Sequence, residues 1–394
     1  MSTFAAVMTG KGTGAISTIQ VFGDSAEALI KKIFKPTANK PAIFERGKIL
    51  LGQITNGART IDQVVIGCES SHSFAINCHG NPLIVADIMK LLARHGATLI
   101  TAQELLTKIL STQKYANTIE LEAKLAQPKA KTIEGTKIIA NQIDAGLSKK
   151  AKEWLQNLNA MSLKDISADA EQILQASQKA KLIIAGCTIV LSGPPNTGKS
   201  TLLNCLAGRQ KAIVTDIKGT TRDWVSAQCK IAPLSAEIID TAGLDGKLPE
   251  TSKQTVEKLS QQKTAQVLER ADLVLLVLDN SRTAEQLDDL LLEKIADKKV
   301  LAILNKADLP ARLDASKLPR ILSNTVQISA KFGTGIEKLL KKIREISGVA
   351  DFDFHATVCF AKRQQNLLKK LQKANSKPQA ASIITELLNG PISL

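Results

Sequence analysis

The chain has 394 residues and a formal net charge of +15, and 44% of its residues are hydrophobic against 23% that are charged. This composition is typical of a globular protein with two or three domains and excludes a disordered chain. Aromatic residues make up only 3% of the sequence, which excludes stacking of nucleic-acid bases on an aromatic platform as the main binding mode.

Residues 1–112 alternate β-like segments with one clear helix, and we assign them to a small α+β domain. The helix is predicted over residues 84–96, where the residues that share one apolar face are Ile84, Ile88, Leu91 and Leu92. Cys78 and His79 are adjacent, as a nucleophile and its base would be. Neighbouring residues of a strand point to opposite faces, so we expect no such pair.

Residues 113–185 have a helical pattern. Apolar side chains recur at helical spacing first at Trp154, Leu158 and Met161 and then at Ile166, Ala170 and Ile173. Such stripes are typical of a core. A helical pattern returns in residues 349–394, so the region between them, 186–348, is predicted to interrupt one helical domain.

Five short motifs follow one another in residues 186–348. They are GPPNTGKS (193–200), GTTRD (219–223), DTAG (240–243), NKAD (305–308) and SAK (329–331). Any single Asp or Asn in them has an ordinary interpretation as a turn residue or helix cap. In this order they instead predict one guanine-nucleotide site on a P-loop domain, a mostly parallel sheet flanked by helices.

The first motif lies between an apolar run, 187–192, and a helical stretch that we expect to end at Gly208. Its Gly-rich turn lets backbone N–H groups point at phosphate oxygens, and the helix that follows favours the same negative charge. Lys199 is predicted to reach the β- and γ-phosphates, and Ser200 to contact Mg²⁺. The predicted nucleotide contacts in this loop are Gly193, Asn196, Thr197, Gly198, Lys199, Ser200 and Thr201.

The DTAG motif supplies the other residues predicted to contact Mg²⁺ and the γ-phosphate. Asp240 ends an apolar, strand-like run, which places its carboxylate at the edge of the sheet where it can hold Mg²⁺. Gly243 can offer its backbone N–H to the γ-phosphate.

The last two motifs are predicted to bind the base. Asn305 and Lys306 follow a strand-like run, and Asp308 is suited to accept two hydrogen bonds from guanine N1–H and the 2-amino group. Ser329 and Ala330 can support the base from the opposite side. Adenine lacks these donors in that arrangement, so we expect GTP and GDP as ligands.

The residue that follows the DTAG motif distinguishes this chain from Ras-like GTPases. In Ras-like proteins a glutamine just after DTAG orients the attacking water, whereas this chain has Leu244 there. The transition state must therefore be stabilised by other means.

The motifs, together with Asn196 in the loop, resemble those of the tRNA-modification GTPase family known as MnmE or TrmE. This resemblance implies that Asn196 helps to bind K⁺, which supplies the positive charge of an arginine finger. It implies that Thr220 and Thr221 lie in a segment that closes over the ion, with Thr221 also at Mg²⁺. It further implies that Glu257 orients the attacking water, although an exposed helix charge explains that residue equally well.

The resemblance also covers the N-terminal region, which the family uses to form a homodimer and to bind a formyl-tetrahydrofolate. Where the family has a folate-contacting arginine and a glutamate, this chain has Gln20 and Ala75. The family's Cys-x-Gly-Lys tail also has no counterpart in the sequence, which ends at Leu394. We therefore expect weak folate binding and loss of the modification chemistry.

Two functions are favoured at this point, and a ribosome-assembly GTPase is a third alternative, although such a protein would usually carry a separate RNA-binding module that the sequence does not show. The first is a K⁺- and Mg²⁺-dependent GTPase of the tRNA wobble-uridine modification type, with a partner modification enzyme. The second is a GTP-controlled module that binds RNA or the ribosome without modification chemistry. A basic chain is drawn to phosphate backbones, so tRNA or another RNA is the expected partner. Solvated helix faces explain each basic cluster equally well, namely 129–137, 147–154 and 361–373.

The remaining features concern location. The six cysteines form no Cys-x-x-Cys pairs, which predicts free thiols in a reducing cytoplasm. The longest apolar run, 182–191, is too short to span a bilayer, and no signal-peptide pattern opens the sequence. We expect a cytoplasmic protein without membrane association.

Overall fold

The computed structural model describes residues 2–10, 12–37, 43–209, 225–240, 266–287 and 289–392, and its elements are numbered over these ranges. The chain forms two compact units, Met1–Ala116 and Asn117–Leu394. The domain boundaries drawn from the sequence at residues 112, 185 and 348 stay predictions.

The first unit is built on a seven-stranded sheet. Its strands are β1 (Phe4–Val7), β2 (Ile16–Phe22), β3 (Phe34–Pro36), β4 (Ile49–Asn56), β5 (Arg59–Ser70), β6 (Ser73–His79) and β7 (Thr98–Leu99). The order is β3-β4-β5-β6-β2-β1-β7, with antiparallel neighbours except for the parallel pair β1 and β7. Val64, Ile66 and Cys68 alternate into the core along β5, which leaves the other face of that strand outside it.

Among the described residues of this unit, three helices accompany the sheet: α1 (Ala26–Ile33), α2 (Pro82–Arg94) and α3 (Ala102–Ser111). The helix expected at 84–96 is confirmed as α2, which begins two residues earlier behind an Asn81 cap. The sequence reading missed α1 and α3. A capping box between Thr101 and Glu104 opens α3, and this signal is visible in the sequence.

The second unit begins with four helices: α4 (Thr118–Ala126), α5 (Ile133–Asp144), α6 (Leu147–Gln156) and α7 (Leu163–Ala185). Trp154 is fully buried in α6. The expectation that Leu158 and Met161 continue its helix is wrong, because α6 ends at Gln156 and both lie in the following turn. They still pack against the same apolar cluster as Trp154.

A six-stranded sheet follows. Its strands are β8 (Cys187–Ser192), β9 (Val225–Ile231), β10 (Leu234–Asp240), β11 (Leu273–Asp279), β12 (Val300–Asn305) and β13 (Thr325–Gln327). The order is β13-β12-β11-β8-β10-β9, and all neighbours are parallel except β9 and β10. Every residue of β11 and β12 is buried, as in a parallel sheet covered on both faces. The mostly parallel P-loop fold predicted from the motifs is thereby confirmed.

In the part of this region that the structure describes, three helices accompany the sheet: α8 (Lys199–Arg209), α9 (Asp289–Lys294) and α10 (Ile336–Ser347). The expected end of the first of them at Gly208 is wrong, because α8 continues to Arg209.

Two further helices, α11 (Lys362–Leu371) and α12 (Lys377–Asn389), return to the first helical region. One apolar cluster contains residues from both sides of the sheet region, among them Trp154, Ile166, Leu368 and Ile384. The predicted insertion of a P-loop domain into a helical domain is thus confirmed. None of the helices within the described ranges is long and apolar enough to cross a membrane.

Buried polar groups form hydrogen bonds to the segment that leads from the P-loop domain back to the helical region. Gln142 is fully buried, and its Oε1 accepts hydrogen bonds from the backbone N–H groups of Leu147 at 2.9 Å and Val358 at 3.1 Å. The N–H of Cys359 donates to Ser177 Oγ at 2.7 Å. The segment that leaves the P-loop domain is therefore fastened to α5 and α7.

Candidate nucleotide site

The phosphate loop connects β8 to α8 through backbone conformations that few residues adopt. Gly193 has φ 136°, Asn196 has φ 63° and Gly198 has φ 92°. A Cβ at Gly193 would meet the backbone of Val277, and one at Gly198 would meet the Asn305 amide. The two glycines are therefore required both by conformation and by close approach.

Two buried side chains of the loop bond to its own carbonyls. Lys199 Nζ donates to the carbonyl oxygens of Gly193 and Pro194, both at 2.8 Å. Thr197 Oγ1 donates to the Pro194 carbonyl at 3.0 Å. The ammonium group is thus held at the loop where a phosphate chain would lie.

Ser200 and Asp240 meet beside this loop. Ser200 Oγ donates to Asp240 Oδ2 at 2.6 Å, and Asp240 ends β10, the strand paired in parallel with β8. Asp240 is 1% exposed. A carboxylate and a hydroxyl this close supply the hard oxygen ligands that Mg²⁺ prefers, so the two residues fit a Mg²⁺ site.

Asn305 links three of the motifs. Its Nδ2 donates to the Thr197 carbonyl at 2.8 Å, and its Oδ1 accepts from the Ala330 N–H at 2.9 Å. The side chain is buried at the end of β12. One amide therefore ties the phosphate loop to both loops that were predicted to bind the base.

Asp308 lies on the exposed side of the same loop. Its Oδ1 accepts from Ser329 Oγ at 2.5 Å, while Ser329 itself is buried. This hydrogen bond orients an exposed carboxylate that has a second oxygen available for a ligand.

Asp279 is a site residue that the sequence analysis missed. It ends β11, it is 2% exposed, and its Oδ2 accepts from Lys306 Nζ at 2.6 Å. Burial raises the pKa of this carboxyl, but hydrogen bonds from Lys306 and Ser281 outweigh that effect and lower the pKa below its usual range. An acidic residue at the end of an apolar run, the signal that identified Asp240, would also have found it.

The other predicted site residues are placed as follows. Asn196 is exposed, and its left-handed backbone conformation alone would favour asparagine there. Thr201 is an exposed residue of the first turn of α8. The residues that lie outside the described ranges are Thr220, Thr221, Gly243, Leu244 and Glu257.

Two residues of the N-terminal unit stand where the resemblance implies contacts with a folate. Gln20 and Ala75 are cross-strand partners on β2 and β6. Gln20 is buried, and its Nε2 donates to Glu69 Oε2 at 2.8 Å and to Ser73 Oγ at 2.9 Å. Both amide protons are thereby used within the protein, and no charged pair stands at these positions. The residues present do not fit the folate contacts that the resemblance implies.

Cys78 and His79 form no nucleophile–base pair, as expected. Cys78 is buried, and desolvation, with a smaller contribution from Asp62, raises the pKa of its thiol to about 11. His79 Nδ1 instead lies 2.7 Å from Asp62 Oδ1. All six cysteines are free thiols.

Comparisons with known proteins agree with this geometry. Residues 3–108 match the family described as "GTP-binding protein TrmE N-terminus", and residues 188–306 match "50S ribosome-binding GTPase". Among solved structures, the G domain of the T. maritima FeoB iron transporter is 30% identical over 41% of this chain and 98% of that one. Its TM-score of 0.32 supports no further argument.

Curated relatives cover most of the chain. The tRNA modification GTPase MnmE of Clostridioides difficile is 30% identical over 380 residues, which are 87% of this chain and 81% of that protein. The MnmE of Endomicrobium trichonymphae is 29% identical over 100% of this chain and 93% of its own length. The chain therefore belongs to the family of MnmE tRNA modification GTPases, and it is a GTP-binding GTPase.

Proposed function

We propose that this GTPase acts as a K⁺- and Mg²⁺-dependent switch in the modification of tRNA wobble uridines. The observation that carries the proposal is the position of Asn305, whose amide joins the phosphate loop to the base-binding loops. Relatives that match over most of the chain carry the name tRNA modification GTPase, which supports the assignment to tRNA.

Ser200 and Asp240 would hold Mg²⁺, which when bound neutralises charge on the phosphate oxygens. Lys199 would turn its ammonium group from the loop carbonyls to those oxygens. Both groups act by electrostatic stabilisation, which needs preorganised charge rather than covalent chemistry.

The assignment of K⁺ to Asn196 rests on the family resemblance and on the exposure of that side chain at the loop. The roles proposed for Thr220, Thr221 and Glu257, and for the Gly243 N–H, rest on the resemblance alone. Asp308 is proposed to select guanine, supported by Ser329 and Ala330.

The switch would act through the insertion. We propose four segments: an N-terminal domain 1–112, a helical domain 113–185 and 349–394, and a GTPase domain 186–348. The hydrogen bonds of Gln142 and Ser177 to the returning chain support a route by which the nucleotide state biases the helical domain. We further propose a cytoplasmic homodimer that works with a tRNA and a partner modification enzyme.

The test is complementation in cells that lack their own MnmE. If the modification role holds, the chain restores modified wobble uridines, measured by mass spectrometry of purified tRNA, and Lys199→Ala does not. If expression of the GTP-hydrolysing chain leaves the uridines unmodified, the modification role is wrong.

One observation favours a second function, a GTP-controlled RNA- or ribosome-binding module without modification chemistry. The Gln20 amide is bonded to Glu69 and Ser73, opposite Ala75. Loss of one charge-assisted contact typically costs about 1.5–3 kcal/mol, so formyl-tetrahydrofolate should bind at least about tenfold more weakly than to a relative with the arginine and glutamate. Calorimetry with the folate decides this point, and tight binding would contradict it.

A further inference from the structure

The exposed face of α11 carries only positive charge. Lys362, Lys369, Lys370 and the adjoining Lys373 are exposed and recur at the spacing of a single helix face, which Asn366 completes. The opposite face of the helix packs into the apolar core through Leu367, Leu368 and Leu371. We refer to the four lysines as the lysine stripe.

Carboxylates are missing around this stripe in the sequence. No Asp or Glu occurs between Asp353 and Glu386, a stretch that contains five lysines and one arginine. That arginine, Arg363, is held by Glu122 through two hydrogen bonds of 2.7 and 2.9 Å. Among the described residues, none of the salt bridges involves a lysine of the stripe.

The basic cluster at 147–154 and the lysines of α10 differ from the stripe. Lys149 lies 3.9 Å from Glu153 and Lys150 lies 2.7 Å from Asp169, so carboxylates neutralise part of α6. On α10, Lys342 pairs with Glu345 at 3.1 Å. The structure therefore distinguishes the lysine stripe from the 147–154 cluster of mixed charge, which the sequence alone left equivalent to it.

We propose that the lysine stripe binds the phosphate backbone of RNA. The inference takes RNA as the partner from the proposed function, on which it rests, and adds the surface of the protein that would contact the RNA. The stripe spans about 16 Å at a rise of 1.5 Å per residue, enough to contact several successive phosphates.

The composition of the face favours RNA over other partners. Protein interfaces are depleted in lysine at their centre and enriched in aromatic residues, and the stripe has no aromatic member. A helix that lies on a membrane needs an apolar face free to enter it, whereas the apolar face of α11 is buried in the bundle.

The test is the salt dependence of binding to an unmodified tRNA transcript. The full chain with K362Q, K369Q, K370Q and K373Q should bind at least about tenfold more weakly at 50 mM salt. The slope of log K against log salt should fall by roughly 3, because each phosphate contact contributes about 0.7–0.9 to it. GTP hydrolysis should be unchanged, since the stripe lies outside the nucleotide site.

A matched control removes the same charge elsewhere. The variant K31Q/K124Q/K317Q/K342Q replaces four lysines that each lie near a carboxylate, and it should keep the wild-type slope. Equal losses in both variants would overturn the stripe as a specific surface. Unchanged RNA binding in the stripe variant would overturn it too, and would point to an acidic protein as the partner of this face. If the wild-type chain itself does not bind the transcript, the result contradicts the proposed function, namely its assignment of RNA as the partner, rather than the choice of the lysine stripe as the surface.

Discussion

Lys306 Nζ donates to Asp279 Oδ2 over 2.6 Å, which ties the NKAD loop to the end of the neighbouring strand. Asp279→Asn keeps the shape of the side chain and removes its charge. A charge-assisted hydrogen bond contributes about 1.5–3 kcal/mol, and because Lys306 is 31% exposed we expect the lower end, about a tenfold loss of GTP affinity. Titration with a fluorescent GTP analogue measures it. The control Asp314→Asn alters an exposed carboxylate bonded to Ser316 and should bind normally.

The same pair predicts a pH dependence of stability. Because the pKa of Asp279 is lowered in the folded protein, its contribution is complete above the usual carboxyl pKa of about 4 and is lost as pH falls through the lower folded value. The difference in Tm between wild type and Asp279→Asn should be constant from about pH 7 to 5 and shrink below about 4. Thermal unfolding across this range measures it, and a difference that grows on acidification would contradict the assignment.

Asn305→Ala should destabilise the P-loop domain as well as abolish tight nucleotide binding. It leaves the Thr197 carbonyl and the Ala330 N–H without the partner they have now. Each buried group left unsatisfied costs about 1–3 kcal/mol, so the free energy of unfolding should fall by about 2–6 kcal/mol. Urea denaturation measures the loss. Asn324→Ala, at an exposed position before β13, is the control and should change stability little.

Asp308→Asn should change the choice of base. It replaces one acceptor by a donor, so preference should move from GTP toward xanthosine triphosphate. Sites built on polar pairing discriminate by roughly 10⁴-fold, and much of that selectivity should transfer. Competition between the two nucleotides measures the shift. Wild-type GTP affinity in the variant would refute the role of this carboxylate.

GTP turnover should be markedly faster in K⁺ than in Na⁺ at equal ionic strength, because the cation supplies the charge of an arginine finger. Asn196→Ala should erase the difference. Asn196→Gly provides the backbone control, since glycine adopts φ 63° without strain. The two variants should behave alike if the side chain binds the ion. Equal wild-type rates in both salts would remove K⁺ from the mechanism.

The sequence predicts where several residues of the candidate site lie, because they follow apolar runs whose ends are visible in the sequence. Ser192, Asp240 and Asn305 end strands where the motifs place them. Asp279 was not predicted because the similar apolar run that it ends is not followed by any of the five motifs.

Pairings made by tertiary structure alone are beyond such reasoning. Glu122 and Arg363 form an ion pair across a sequence separation of 241 residues, and no local pattern predicts this contact. The replacement at Gln20 was visible in the sequence, but its bond to Glu69 depends on the sheet register.

That separation also has a consequence for how the chain is made. Residues 117–185 cannot complete their core until α11 and α12 exist, because Trp154 and Ile166 pack in one cluster with Leu368 and Ile384. At about 5–20 residues per second, the ribosome needs roughly 8–33 s to synthesise the intervening domain. During that interval the first helices present an unfinished apolar surface, so the nascent chain should depend on chaperones at this stage, after the P-loop domain has begun to fold.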